Sequence, residues 1–125
     1  MDIKSTIAAV LLCTTLTANA SNAWVDLGGG VYYDSRTIVK EKHSVIAWTM
    51  YDLPEPKQTE AHSVKAVTLF HCKHWTMRTI YSVFYTGYKG QGGVDWSGYL
   101  DGTIKPIIPD SKAEALAIEL CGEKI

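Results

Sequence analysis

His62-Ser63-Val64-Lys65-Ala66-Val67-Thr68-Leu69-Phe70-His71-Cys72 alternates with a period of two. Val64, Ala66, Thr68, Phe70 and Cys72 fall on one side, while Ser63, Lys65 and His71 are among those on the other, the pattern of a half-buried strand. The first side is expected to face a core. Working backward, Ser44 to Asp52 is rich in β-formers (Val45, Ile46, Trp48, Thr49, Tyr51) and stops where Pro54 and Pro56 forbid further ladder pairing. Trp24 to Leu27 reads as an opening strand, broken by Gly28-Gly29-Gly30 from Val31 to Asp34, and Ser35-Arg36 turns the chain into Thr37 to Lys40. Working forward, Trp75 to Tyr85 and Val94 to Leu100 are further strands. Asp101-Gly102, a dipeptide that favours tight turns, predicts a hairpin into Thr103-Ile104-Lys105.

Beyond Pro106 and Pro109 the period changes to about 3.6. Ala113, Leu116, Ala117, Leu120 and Cys121 share a stripe, with Lys112, Glu119 and Glu123 off it. Ser111 followed by Glu114 fits a capping box, and Gly122 suits the position after a helix end. The expected fold class is α+β: an antiparallel meander of five to seven strands, curved, with one C-terminal helix packed on one face.

Residues 1–20 read as a secretory signal peptide: a short polar start through Lys4, an apolar run from Ile7 to Leu16, and Ala18-Asn19-Ala20 for cleavage, with Ala23 as the alternative site. The run is too short to span a bilayer, which needs about 20 apolar residues. A buried N-terminal helix is disfavoured because Cys13, Thr14 and Thr15 interrupt the apolar stretch without giving it helical periodicity. Leu12 stands where a lipid-attached form would need a small residue before Cys13. An exported protein with one domain over residues 24–125 is expected, in the periplasm, at the cell surface or secreted, without an integral membrane segment. Export leaves Cys72 and Cys121, whose only intramolecular pairing closes a loop of about 50 residues and contributes about 4 kcal/mol in the chain-entropy account. Because Cys121 lies on the helix stripe and Cys72 on the strand's core side, the bridge would pin helix to sheet. A redox-active pair would need closer spacing.

Of 125 residues, 12 are Lys or Arg and 13 Asp or Glu, a formal charge of −1, so nothing supplies the basic field a nucleic acid requires. No cofactor is expected. His71 and His74 point to opposite faces if the chain there is extended, which disfavours a metal site, and His43 and His62 read as solvated turn residues. Gly87-Tyr88-Lys89-Gly90-Gln91-Gly92-Gly93 precedes a strand, not a helix, so it reads as a flexible hairpin loop instead of a phosphate cradle, with Tyr88 and Lys89 available to a partner. Asp95 and Asp101 could be imagined as paired carboxylates, but the first alternates as a solvent-facing residue and the second belongs to its turn. No catalytic residue is nominated, and a non-enzymatic protein is expected. Trp48, Trp75, Tyr81, Phe84, Tyr85, Tyr88 and Trp96 crowd the middle strands and their loop. Most should pack in the core, with the remainder serving as contact anchors.

Several short motifs, in this order and spacing, resemble the surface-adhesin protein E family of Gram-negative bacteria. They are Tyr32-Tyr33-Asp34 with Arg36-Thr37-Ile38; Val45 and Trp48 leading to Tyr51-Asp52; a proline loop with Lys57; Ser63 before Cys72; Arg78; the glycines before Val94; Ile107 with Pro109 and Ser111; and Leu116 with Cys121. The resemblance implies an antiparallel sheet with a C-terminal helix, a Cys72–Cys121 disulfide, and an exported, surface-associated role in binding host matrix and plasma proteins. Residues 57 to 78 resemble a partner-binding region, though less basic here, with Glu60 beside Lys57. The expected partner-binding set is Lys57, Lys65, Lys73, Trp75, Arg78, Tyr88 and Lys89, directed at a protein partner, with strand-edge homodimerisation left open. The competing reading is a periplasmic structural or inhibitory protein that binds an envelope partner.

Overall fold

The computed structural model describes residues 23–54 and 60–122. The expected signal peptide and Lys57 lie outside these residues. In chain order the elements are β1 (Trp24–Asp26), β2 (Val31–Asp34), a 3-10 turn (Ser35–Thr37), β3 (Val39–Lys40), β4 (Ser44–Asp52), β5 (Ser63–His71), β6 (Thr76–Tyr85), a second 3-10 turn (Tyr88–Gly90), β7 (Val94–Tyr99), β8 (Lys105–Pro106) and helix α1 (Lys112–Cys121). All strands pair antiparallel in one sheet of order β1-β2-β4-β5-β6-β7, with β3 also on β4 and β8 also on β6.

The alternation of β5 is realised as read: Val64, Ala66, Thr68, Phe70 and Cys72 are all buried. Register places Val45 opposite Phe70, Ala47 opposite Thr68 and Thr49 opposite Ala66, so the odd residues of β4 share that face. Helix α1 lies over it against β2 and β4, burying Leu116, Ala117 and Leu120 among Val31, Val45, Ala47 and Phe70. Phe70 is fully enclosed, and its burial alone contributes roughly 1.5–3 kcal/mol. Two buried hydroxyls satisfy one another beneath the helix, Thr49 Oγ1 lying 3.0 Å from Thr68 Oγ1. The Cys72–Cys121 disulfide closes the layer, with Cα atoms 5.7 Å apart.

Helix α1 starts at Ser111, whose Oγ accepts from the Glu114 amide at 3.1 Å. The Glu114 carboxylate reaches back one residue further than in the standard box, accepting from the Asp110 amide at 3.1 Å. Gly122 ends the helix at φ +86°, a conformation that glycine adopts without a Cβ penalty.

Two expectations are corrected. Thr37 to Lys40 is not a four-residue strand: Asp34 caps a 3-10 turn by accepting from the Arg36 amide, and only Val39–Lys40 pair. Nor do Asp101-Gly102 form a hairpin. The Asp101 carboxylate accepts from the Thr103 amide at 3.0 Å in a local turn, after which β8 rejoins β6 beyond β7, running in the same direction. The local turn chemistry is as read, but β6 already offers the open edge that β8 takes.

Candidate functional site

The sheet face opposite α1 carries Trp24, Tyr32, Ile46, Trp48, Met50, Lys65, Val67, Leu69 and Tyr81, as the registers β1–β2, β2–β4, β4–β5 and β5–β6 dictate. A register shift between Val67 and Thr68 leaves Ile80 as an extra residue on β6. Such a bulge re-aims side chains. Here it lets the neighbours Ile80 and Tyr81 both line a hollow of about 450 Å³ with Ile46, Trp48, Val67 and Tyr99. Tyr81 is edge-on to Trp48 (centroids 6.2 Å, 76°) and to Tyr99 (4.7 Å, 71°), and Tyr99 itself is 80% exposed.

Beside it lies a second hollow of about 290 Å³, lined by Trp24, Asp34, Arg36, Thr37, Trp48, Lys65, Val83 and Tyr85. The Lys65 ammonium sits 5.1 Å from the Trp24 ring centroid and 5.2 Å from that of Tyr85. Trp24 and Lys65 stand three strands apart, about 14 Å across the sheet. Two long side chains and the sheet twist close that span. Asp34 is engaged by Arg36 through both carboxylate oxygens, with Arg36 Nε 3.0 Å from Oδ1 and Nη2 2.8 Å from Oδ2. These hydrogen bonds hold the Asp34 carboxyl below the usual range against the opposing effect of burial.

At one end of this face the glycine segment 87–93 is pinned, contrary to the flexible loop expected. Ser63 Oγ donates to the Gly87 carbonyl at 2.6 Å and accepts from the Gly90 amide at 2.9 Å. The Asp52 carboxylate accepts from the Lys89 amide and from the Tyr32 hydroxyl, both at 2.8 Å. Burial, and secondly that bond to Asp52, push the Tyr32 hydroxyl up to about 12. Gly90, at φ +70°, rests against the Lys65 stem: a Cβ there would stand 2.6 Å from Lys65 Cε. His62 is likewise a packed residue, its ring 4.8 Å from that of Tyr88.

The anticipated partner-binding residues divide into two groups. Lys65, Tyr88 and Lys89 gather at this loop end. Lys73 and Trp75 occupy the β5–β6 turn, about 20 Å along β5 from Lys65. Lys73 is exposed, whereas Trp75, at φ +57°, packs against the helix-side core and its carbonyl accepts from the Ile107 amide. Arg78 is exposed on the open face opposite Leu69, between the two groups. The same turn stacks the His71 and His74 rings at 4.5 Å, because the chain leaves the extended conformation at Cys72. No third ligand joins them: among the described residues no group of three His, Cys, Asp or Glu side chains is placed for a metal. Sequence reasoning missed Trp24, Asp34, Arg36 and Tyr99 as surface residues of one site. The signal available was the Trp24/Asp26 alternation, which puts Trp24 on the same face of its strand as Asp26.

The outer edge beyond β6 differs from the rest. Strand β7 is six residues long and exposes Val94 (58%), Trp96 (46%) and Tyr99, with Asp95 as its only charge. Strand β8 carries Lys105 and Pro106, and β1 at the opposite edge has three residues.

An open antiparallel sheet with a disulfide-fastened helix on one face and aromatic surface on the other defines a small binding domain of bacterial surface-adhesin type. The chain belongs to the surface-adhesin protein E family, whose model matches residues 23–122. The fold is similar to that of Haemophilus influenzae protein E in crystal form II, at 21% identity over 81% of this chain and 88% of that one, with a TM-score of 0.59. A second structure of Haemophilus influenzae protein E matches at 21% identity, 81% and 85% coverage and a TM-score of 0.57. Its Se-Met form matches at 19% identity, 82% and 88% coverage and a TM-score of 0.58. No curated protein sequence matches the chain. Family membership is that of surface or exported proteins, and no helix among the described residues is long and apolar enough to cross a membrane.

Proposed function

We propose that the protein is a non-enzymatic surface adhesin that captures an extended segment of a host matrix or plasma protein along β7. The observation that carries this reading is the long apolar edge. Exposed strands are ordinarily protected by lysine, proline, bulges or shortness. Strand β1 is short and β8 carries Lys and Pro, whereas β7, bulged at Asp95 alone, presents six residues, three of them large and apolar. Strand addition there would supply main-chain hydrogen bonds for affinity and side-chain contacts for specificity. Lys65, Tyr88 and Lys89 at the loop end, and Lys73, Trp75 and Arg78 toward the opposite turn, would flank the partner, with Lys57 from the segment outside the described residues. Family membership supports adhesion, and the similar structures add only the fold.

The test is surface-plasmon titration of the oxidised protein over immobilised matrix and plasma proteins at physiological salt, alongside a Val94→Lys/Ser97→Lys variant. Both positions are solvent-facing, so the fold should persist. Saturable binding that the variant loses supports the reading. Absence of saturable binding, or binding indifferent to the variant, overturns it. A concentration-dependent dimer abolished by the same variant would instead assign the edge to a second copy of this chain.

A further inference from the structure

The two hollows of the open face share Trp48, and together they join a cation to a hydrocarbon surface. Lys65 opposes Met50 and Val83 in register, two residues before Val67, which faces Trp48. The Cα of Lys65 is therefore about 7 Å along the strand from that of Val67, which lines the apolar hollow. Among the described residues it makes no hydrogen bond and no ion pair, contacting only the Trp24 and Tyr85 rings. Its nearest acidic neighbour, Asp34, is occupied by Arg36 at both oxygens. The ion pair is neutral as a unit, so the Lys65 hollow carries one net positive charge with donors still available. Gly90 against its stem and the rings on either side fix where that charge stands.

We propose that these joined hollows bind an amphipathic monocarboxylate, its carboxylate on Lys65 and its hydrocarbon or aromatic body over Trp48, Tyr81 and Tyr99. The apolar hollow is lined by aliphatic and ring carbon, with the tyrosine hydroxyls and the Trp48 indole N–H as its only side-chain polar groups. A sugar would bring hydroxyls that find few partners there, and an organic cation would meet Lys65 where the rings are already occupied. A dianion would face one ammonium with the Asp34 carboxylate nearby. A single negative charge on an apolar body matches both halves. The site shares Tyr99 with β7, but its deciding readout, the preference set by Lys65, does not depend on strand addition along that edge, so its failure leaves the adhesin reading intact and the reverse also holds.

Sodium decanoate, decanol and sodium glucuronate can each be titrated into the oxidised protein below micellar concentration, reading tryptophan fluorescence and amide shifts of β4 to β6. Decanoate should saturate with an affinity about fivefold or more above decanol, as an ion pair at a partly exposed site allows. Lys65→Met, which keeps the stem, should erase that preference while leaving decanol unchanged. Lys65→Arg should retain it, and Tyr99→Ser should weaken both ligands. Equal binding of decanoate and decanol, a preference that survives Lys65→Met, tighter binding of glucuronate, or no saturable binding would overturn the proposal. Near-ultraviolet circular dichroism confirms that each variant keeps its packing.

Discussion

Replacing both Cys72 and Cys121 with Ala removes the one covalent link between α1 and the sheet. Alanine is the better choice than serine because Cys72 is buried, and a hydroxyl there would need a hydrogen-bond partner. The bridge spans 49 positions, for which the chain-entropy model gives about 4 kcal/mol of stabilisation through the unfolded state. At a urea slope of about 2 kcal/mol per M, that loss moves the unfolding midpoint down by roughly 2 M. The effect should also be localised. Helix α1 has ten residues, below the roughly 12–15 at which an isolated helix becomes even marginal in water, and it is anchored by Leu116, Ala117 and Leu120. Amides of α1 should therefore lose exchange protection before those of β4 and β5. Urea titration of the oxidised protein against the double variant, followed by hydrogen exchange, measures both effects. A midpoint shift worth under about 1 kcal/mol, or uniform loss of protection across sheet and helix, would refute the view that the disulfide holds a weakly anchored helix in place.

Ser63→Ala should cost about 1–3 kcal/mol, because the buried hydroxyl bridges the Gly87 carbonyl and the Gly90 amide and both lose that partner. Thermal melts give the cost, and faster exchange at Gly90 identifies its origin; unchanged exchange would mean the loop is held by something else. At alkaline pH, the Tyr32 and Tyr51 hydroxyls both titrate at about 12, raised mainly by burial above the ordinary tyrosine value of 10.0. The unfolded chain ionises first, so their contribution is fully present below pH 10 and is lost as the pH rises through about 12. Tyr32→Phe should reduce the alkaline fall in urea midpoint relative to the parent chain, and an identical fall would show that Tyr32 is not its source.

Much of the sheet was legible because its signals are local. The period-two pattern of 63–72 fixed which residues face the core, and Ser111, Glu114 and Gly122 marked the helix ends. The two cysteines had only each other. What escaped depends on distant neighbours. The Asp101-Gly102 turn looks the same whether the following strand pairs with β7 or with β6, and only the vacancy along β6 decides. The bulge at Ile80 has no sequence mark, yet it turns Tyr81 onto the open face with Arg78, three positions away, where strict alternation would separate them. The Lys65 site was least visible. It needs Trp24 from one edge and Tyr85 from a strand near the other, a meeting set by sheet twist and side-chain length. The placement of Trp75 is hidden for a related reason: in its turn it enters a left-handed conformation and lies partly buried against the core.

Geometry explains why a fold of this size leaves so much aromatic surface uncovered. Six strands at about 4.8 Å spacing make a sheet roughly 24 Å wide, while a ten-residue helix is about 15 Å long and about 10 Å across. One such helix can cover neither both faces nor all of one. It rests on β2 and β4, and burial is lost toward the far edge. Strand β4 has four buried positions and β7, three strands away, has none. The residues left outside are nevertheless Val94, Trp96 and Tyr99, not the charged residues that water alone would favour. Large side chains that gain little from the fold's own core contribute free energy only when something else removes them from water. The position of the helix therefore determines where partners can act: at the edge farthest from it, and on the face it does not touch.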